Sequence, residues 1–186
     1  VLIVMVVGIS IAEPKFLSAT NIFNVLTQST ISGIMALGMT LVITSKGIDL
    51  SIGSVLAFSG VVAASLALVS NATTVYFPGM TDLPAIVPIV VALVIGSLLG
   101  AVNGALIAYT GIPAFIATLG MMTIARGGAL IFTGGKPVSQ FIDGVMFIGS
   151  KVGVIPVPVI VYAIMIAITW VLLGHTSFGK NIYAIG

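Results

Sequence analysis

The side chains in this sequence that are able to do chemistry are few and widely separated. Four acids, six basic residues and a single histidine, His175, are distributed over 186 residues, and there is no cysteine. Zinc sites need a cluster of His, Cys or acidic ligands, and acid–base hydrolysis needs a close pair of carboxylates. The pair Gly135-Lys136 is followed by Pro137 and lacks the earlier glycine of a phosphate-binding loop. We therefore expect no catalytic residue, no metal site and no cofactor in this chain.

The polar residues that remain lie in or beside long apolar segments, where they could line a passage for a hydrophilic molecule. The candidates for such a pathway are Gln28, Asp49, Ser51, Asn103 and Arg126. The amides of Gln28 and Asn103 suit hydroxyl groups, but hydrogen bonds between helices explain them as well. Arg126 lies well inside an apolar segment, where a charge costs at least about 2.5 kcal/mol, so a structural partner is favoured over a substrate. For Asp49 and Ser51 the favoured interpretation is a cap on the following helix.

These residues must be positioned by transmembrane helices, because the composition suits lipid and not water. Charged residues make up 5% of the chain, against about 25% in an average soluble protein, and the mean hydropathy is +1.33. The net charge of +2 is too small and too scattered to indicate nucleic acid. Lipid offers no hydrogen-bond partner to the backbone, so long apolar runs without strict alternation must form helices. The sequence predicts an all-α bundle that crosses a bilayer.

Six apolar segments predict about six spans in a single domain of residues 1–186. The segments are residues 1–12, 22–44, 50–70, 85–109, 113–133 and 156–174. All but the first have the roughly 20 residues that a crossing needs. We interpret the first as the second half of a helix, which would make the chain a fragment of a longer protein. Gly47 is expected to be the left-handed residue that ends the second helix.

A stripe of glycines marks one face of the fourth segment. Gly96, Gly100 and Gly104 recur every four residues. A helix face without side chains lets a neighbouring backbone approach closely, which is a main source of helix association in lipid. We interpret the stripe as a packing face, and a hinge or pore-lining face is the alternative.

Several motifs in order resemble those of ribose-type permeases, the membrane subunits of bacterial ATP-driven importers for monosaccharides. The motifs are NIFNVLTQS at 21–29, ALGMTLVI at 36–43, GIDLSIGS at 47–54, NGALIA at 103–108 and PAFIATLGMM at 113–122. The resemblance implies two paired permease copies in the bacterial inner membrane, a cytoplasmic ATP-binding subunit and a periplasmic sugar-binding protein. ATP and Mg would be bound by the partner subunit, so this chain would not itself be an enzyme.

The resemblance also implies an orientation, which the lysines do not provide because they are predicted at both membrane faces. It places residues 176–186 in the cytoplasm, on the side of the ATP-binding subunit. The candidate coupling residues there are Thr176, Phe178, Lys180 and Tyr183. An ordinary solvated loop is the alternative.

Three other functions remain open from the residues. Permeases for branched-chain amino acids share a similar layout with a different cargo. An ion-coupled secondary transporter should show paired acids within the membrane or inverted repeats, and neither is visible in the sequence. A structural membrane subunit leaves the polar residues near Gln28 less well explained.

Overall fold

A computed structural model describes the backbone of residues 1–186 and the side chains of all of these except Leu2 and Pro14. The helices are α1 (Leu2–Ala12), α2 (Ala19–Thr44), α3 (Ile52–Leu66), α4 (Ile86–Thr110), α5 (Ala114–Thr133), α6 (Asp143–Met146), α7 (Val157–His175) and α8 (Ser177–Ile185). Two 3-10 turns lie at Pro14–Leu17 and Phe147–Gly149, and a short antiparallel hairpin pairs β1 (Lys151–Val152) with β2 (Ile155–Pro156). The predicted all-α bundle is confirmed.

Four of the helices, α2, α4, α5 and α7, are long and apolar enough to cross a membrane. The expectation that residues 50–70 form a further full span is wrong, because α3 has only 15 residues. At 1.5 Å per residue it is about 22 Å long, shorter than the roughly 30 Å of a hydrocarbon core. The predicted number of spans was therefore only approximate.

The chain leaves the helical conformation after α3 and becomes extended while it is still buried. The N–H of Ile142 donates to the carbonyl of Ala67 at 2.9 Å, and the N–H of Val69 donates to the carbonyl of Gln140 at 3.1 Å. Leu68 is completely buried. Non-helical backbone is tolerated near the membrane where protein covers it, and these bonds replace those that a longer helix would have made.

The interior is small and polar, and large apolar side chains lie on the outside. The buried polar residues are Thr30, Ser51, Ser54, Ser59, Ser65, Asn103, Thr118, Thr133 and Thr169. Alanines such as Ala63, Ala117 and Ala125 fill much of the remaining core, whereas Leu93 and Ile124 are exposed. Small residues allow helices to pack closely, and lipid solvates the apolar exterior.

The helices form two packed groups. In the first, α3 lies between α4 and α5, which also contact each other. In the second, α2 packs along α7, and α8 packs against both. A Cβ atom at Gly33 of α2 would lie 2.5 Å from the ring of Tyr162 on α7, so the missing side chain is what lets the ring approach.

The end of α2 differs from the prediction by one residue. Lys46 has the left-handed conformation, with φ of 58°, and the N–H of Gly47 donates to the carbonyl of Val42 at 2.9 Å. This is the bond pattern of a Schellman cap with Lys46 at the left-handed position. Gly47 has a different role, because a Cβ atom there would lie 3.0 Å from the Val42 side chain.

Replacing Gly179 by alanine should destabilise the packing of α8 on α7. The added Cβ would overlap the carbonyl oxygen of Leu173 and lie 2.5 Å from that of Leu172, so backbone would have to move. We expect a loss of about 1–3 kcal/mol, as for other overpacked sites. The measurement is thermal unfolding of the purified full-length protein in detergent.

The matched control is Gly174→Ala in the last turn of α7, where an added Cβ meets nothing within 4 Å. It should be neutral or stabilising, because alanine favours a helix interior over glycine by roughly 0.5–1 kcal/mol. Equal unfolding temperatures for the two variants would contradict the close approach of α8 to α7.

Candidate functional site

The segment between α2 and α3 enters the bundle, so that α3 begins inside it. Its residues Ile48 and Ser51 contact Thr118 of α5 and Asn103 of α4. Asn103 lies seven residues before the end of α4, about 10 Å along the helix axis. Ser51, the residue before α3, therefore lies about two helical turns from the end of α4.

Three polar side chains form a hydrogen-bonded chain at this point. Ser51 donates both its N–H, at 2.7 Å, and its hydroxyl, at 2.6 Å, to Oδ1 of Asp49. Asn103 donates from Nδ2 to the Ser51 hydroxyl oxygen at 3.0 Å. Ser51 and Asn103 are both buried, and Asp49 is half-buried. The structure therefore brings together three of the five residues that the sequence suggested for a pathway.

The role of Asp49 is related to the predicted cap but differs from it in detail. Its carboxylate orders the residue before α3, since it binds the N–H of Ser51 and not those of the first helical turn. The Ser51 hydroxyl makes no cap on α3 either: it donates to Asp49, and its oxygen accepts from Asn103 and not from an N–H of α3. Both residues fix the path of the chain into α3.

A cavity of about 400 Å³ lies beside this cluster. Asp49, Asn103 and Thr118 contribute to its wall. The remaining lining residues are Val42, Ser45, Gly47, Ile48, Gly100, Gly104, Ile107, Ala114 and Ile185. Both packed groups of helices thus border the cavity, and its volume lies in the range of about 300–1,000 Å³ that is typical of small-molecule sites.

Gln28 and Arg126 lie apart from this cluster. Gln28 is exposed on α2, sixteen residues before its end and so about 24 Å along the helix. Arg126 is exposed on α5 and borders a separate groove with Ser54 and Ala57 of α3. A pathway that includes these two residues stays a prediction.

The glycine stripe of α4 faces open space within this chain. Added Cβ atoms at Gly96, Gly100 and Gly104 would each meet nothing within 4 Å. Gly100 and Gly104 lie on the wall of the cavity beside Asn103. Packing of another helix on the stripe stays a prediction, and it would involve residues other than those that the structure describes.

The predicted coupling residues lie on a short amphipathic helix. Thr176 begins α8, because its hydroxyl oxygen accepts the N–H of Gly179 at 3.2 Å. Ile182 is buried, whereas Phe178, Lys180 and Tyr183 are exposed. The helix therefore holds two aromatic side chains and one lysine on its free surface, and their contact with a partner stays a prediction.

Two residues of the site were missed by the sequence reasoning. Thr118 is buried, and its hydroxyl donates to the carbonyl of Ala114 at 2.7 Å and lies 3.5 Å from that of Ile48. A threonine in an apolar helix usually donates its hydroxyl to a carbonyl of the preceding turn of its own helix. The sequence therefore gives no signal that Thr118 also contacts Ile48. Ile185 joins the cavity only because α8 folds back toward α2.

Known proteins identify the family. Residues 21–186 match the family model described as the branched-chain amino acid transport system, permease component. The chain belongs to this family. The match confirms that it is a permease chain, and with the four apolar helices it makes the chain a multi-pass inner-membrane protein. No solved structure matches the chain.

Curated relatives confirm the resemblance to sugar permeases. The ribose import permease protein RbsC of Escherichia coli (strain K12) is 40% identical, with 100% of this chain and 56% of the relative covered. RbsC of Bacillus subtilis (strain 168) is 42% identical, covering 100% and 55%. The galactose/methyl galactoside import permease protein MglC of Escherichia coli (strain K12) is 37% identical, covering 100% and 58%. The chain thus spans little more than half the length of these relatives.

Replacing Asp49 in the full-length permease should separate the effect of its oxygen from that of its charge. Asp49→Asn keeps an oxygen for the N–H and hydroxyl of Ser51, so we expect nearly normal stability and transport. Asp49→Ala removes both bonds and should cost about 0.5–2 kcal/mol, as does the loss of a cap. Thermal unfolding measures the effect on stability, and a transport assay measures the effect on function. A well-folded Asp49→Asn permease without transport would show that the charge itself is needed.

Proposed function

We propose that this chain is part of the membrane-spanning permease subunit of an ATP-driven importer for a monosaccharide. The observation that carries the proposal is the similarity to ribose and galactose import permeases, which extends over the whole chain at 37–42% identity. The permease would provide the passage by alternating access. ATP would be hydrolysed by a separate cytoplasmic subunit, and a periplasmic binding protein would deliver the sugar.

The lining of the cavity supports a neutral cargo rich in hydroxyl groups. Ser45, Asn103 and Thr118 offer polar groups, and Asp49 is the one charged residue among the described side chains that line it. Carboxylates and amides are good partners for hydroxyl groups, which are both donors and acceptors. An amino acid also brings a carboxylate, whose burial requires a cation or several donors. The described wall of this cavity contains no lysine or arginine.

A branched-chain amino acid is the second candidate cargo, because the description of the matching family names it. Both cargoes would be carried by the same kind of ATP-driven importer. They differ in the chemical groups that the passage must solvate. An ion-coupled transporter has no such support, since the curated relatives named above are import permeases with two sugar cargoes between them.

The direct test is uptake by the complete transporter. The full-length permease is reconstituted in proteoliposomes with its own ATP-binding subunit and binding protein, and supplied in turn with radiolabelled D-ribose, D-galactose and L-leucine. We expect ATP-dependent uptake of one of the sugars and none of leucine. Leucine uptake would support the second candidate, and uptake driven by an ion gradient without ATP would refute an ATP-driven importer. Vesicles without the ATP-binding subunit are the control.

The exposed face of α8 is the proposed docking surface for the ATP-binding subunit. Phe178 and Tyr183 are 54% and 59% exposed, and aromatic residues are enriched where protein interfaces are buried. Residues 1–186 contain no cysteine, so cysteines placed singly at these positions are labelled without background from this part of the permease. We expect a membrane-impermeant maleimide to label both from the cytoplasmic side only. Assembly with the ATP-binding subunit should reduce that labelling severalfold.

The matched control is Ile182→Cys, whose position is 8% exposed because it faces the neighbouring helices. It should label poorly whether or not the ATP-binding subunit is present. Labelling from the periplasmic side would overturn the proposed orientation. Unchanged labelling of Phe178→Cys and Tyr183→Cys in the assembled transporter would remove α8 from the interface.

A further inference from the structure

A continuous groove follows the contact between α3 and α5. It consists of two cavities of about 660 and 310 Å³, which have three lining residues in common, Ala57, Ala129 and Leu130. The α3 wall of this α3–α5 groove is made of small residues that are three or four positions apart and so share one helix face: Gly53, Ala57, Gly60 and Ala64. A Cβ atom added at Gly53 or Gly60 would meet nothing within 4 Å. Along about 16 Å of α3, the described residues therefore leave the groove uncovered.

Arg126 lies at one end of the α3–α5 groove, in the middle part of α5. It follows the first residue of α5 by twelve positions and precedes the last by seven, which corresponds to about 18 and 10 Å along the helix. Side chains of a helix lean toward its N-terminus, so Arg126 leans away from the nearer end of α5. It borders the smaller cavity together with Gly53 and Ser54 of the first turn of α3. The guanidinium is therefore poorly placed to reach lipid headgroups at the nearer membrane face.

The positive charge of Arg126 has no carboxylate partner among the described residues that line this cavity. None of the four acids belongs to one of the long apolar helices. Asp49 accepts the two bonds of Ser51 and borders a different cavity, the one beside Asn103. A charge at this depth is normally paired or faces water, so a partner from outside residues 1–186 is expected.

Ser54 adds a second unpaired group beside Arg126. It is 5% exposed, and it lines the smaller cavity. The hydroxyls of the other three buried serines, Ser51, Ser59 and Ser65, donate to acceptors at 2.6–3.2 Å. The Ser54 hydroxyl makes no such bond among the described residues. An occupant of this end of the groove therefore meets a cation and a hydroxyl donor together.

The lining of the groove suits a helix better than a water-filled passage. Between Arg126 at one end and Thr133 at the other, the described lining consists of glycine, alanine, valine and leucine. A passage for a sugar needs hydrogen-bonding groups along its length, whereas small apolar residues let the backbone of another helix approach closely. A neutral sugar also leaves the charge of Arg126 uncompensated, and it is present only during transport.

The full-length relatives are long enough to supply such a helix. The chain covers 55–58% of the relatives named above, so more than two fifths of each relative lies outside the matched part. A second copy of residues 1–186 brings only the same four acids, none of which belongs to a long apolar helix.

We propose that the α3–α5 groove receives a transmembrane helix from the part of the same permease chain that lies outside residues 1–186. A carboxylate of this helix pairs with Arg126, and the Ser54 hydroxyl is a second donor to it. The small residues of α3 let the helix approach, and the ion pair fixes its position along the groove. This packing is independent of the cargo that the permease carries.

Reversal of the charge tests the ion pair. In the full-length permease, purified with its ATP-binding subunit, Arg126→Asp places two carboxylates opposite each other. We expect the unfolding temperature to fall by about 5–10 °C. Each Asp and Glu in the apolar segments outside residues 1–186 is then replaced in turn by Arg in the Arg126→Asp protein. One of these replacements should restore at least half of the loss, because it forms the pair again with its charges exchanged.

The matched control is Lys151→Asp, which reverses the charge of an exposed residue on the short hairpin. Exposed charges contribute little, so its unfolding temperature should change by less than about 2 °C. The replacement that rescues Arg126→Asp should not stabilise this control.

Gly60→Leu tests the packing without changing a charge. Leucine favours a helix over glycine, and a Cβ atom at Gly60 meets no described atom within 4 Å, so residues 1–186 by themselves predict no loss of stability. A helix in the groove would be pushed away, and we expect the unfolding temperature to fall by several degrees. The control is Gly174→Leu at the end of α7, where the surroundings of the Cβ are equally open; it should not lower the unfolding temperature.

Two further measurements identify the occupant. The rescuing replacement, placed in a separate copy that is coexpressed with Arg126→Asp, should not restore stability, because helix and groove belong to one chain. Restoration in that arrangement would assign the helix to a second copy and overturn the proposal. Arg126→Cys, as the single cysteine of the assembled transporter, should react slowly with a charged thiol reagent. Rapid labelling would reveal a water-filled passage and overturn it as well.

The remaining outcomes are equally decisive. If no acid rescues Arg126→Asp, the partner of Arg126 is a lipid phosphate or a backbone carbonyl, and the ion pair is refuted. Unchanged stability of Gly60→Leu would show that no helix lies in the groove. All of these readouts are stability or labelling, so a transporter that fails to import a sugar would overturn the proposed function and leave this packing intact.

Discussion

Lipid offers no hydrogen-bond partners, so every polar group inside this chain must find its partner within the protein. Most buried serines and threonines meet this requirement locally, by donating to a carbonyl three or four residues earlier in their own helix; examples are Ser65 at 2.6 Å and Thr169 at 2.8 Å. Such residues are small, and their hydroxyl group is already hydrogen-bonded within its own helix. They therefore let helices approach closely without needing a hydrogen bond to the next helix. This is why a polar core can coexist with an apolar exterior.

The same constraint explains why the unusual features of the fold collect around α3. The helix is only 15 residues long, and the backbone beyond each of its ends, near Ser51 and near Ala67, needs partners from elsewhere. At one end the backbone near Gln140 and Ile142 supplies them. At the other end the side chains of Asp49 and Asn103 supply the hydrogen bonds. A polar cluster therefore lies beside the cavity. A short central helix thus creates a site that a continuous span would not have.

Composition and motifs predicted the helical membrane class, the family and three residues of the cluster, because these follow from residue type and order. The length of α3 was not predictable in this way, since residues 67–70 are as suited to lipid as the helix before them. The left-handed position at Lys46 was missed because glycine is the usual residue there, while a Cβ atom at Gly47 would lie 3.0 Å from the Val42 side chain. Thr118 was missed because its contact depends on a segment 70 residues earlier.

The position of α8 connects the cluster to the part of the chain that faces the proposed partner. Gly179 allows α8 to lie against the last carbonyls of α7, and Gly186 contacts the carbonyl of Thr44 at the end of α2. Ile185 of the same helix forms part of the cavity wall that also contains Asp49. Because Ile185 forms part of this wall, a displacement of α8 changes the shape of the cavity.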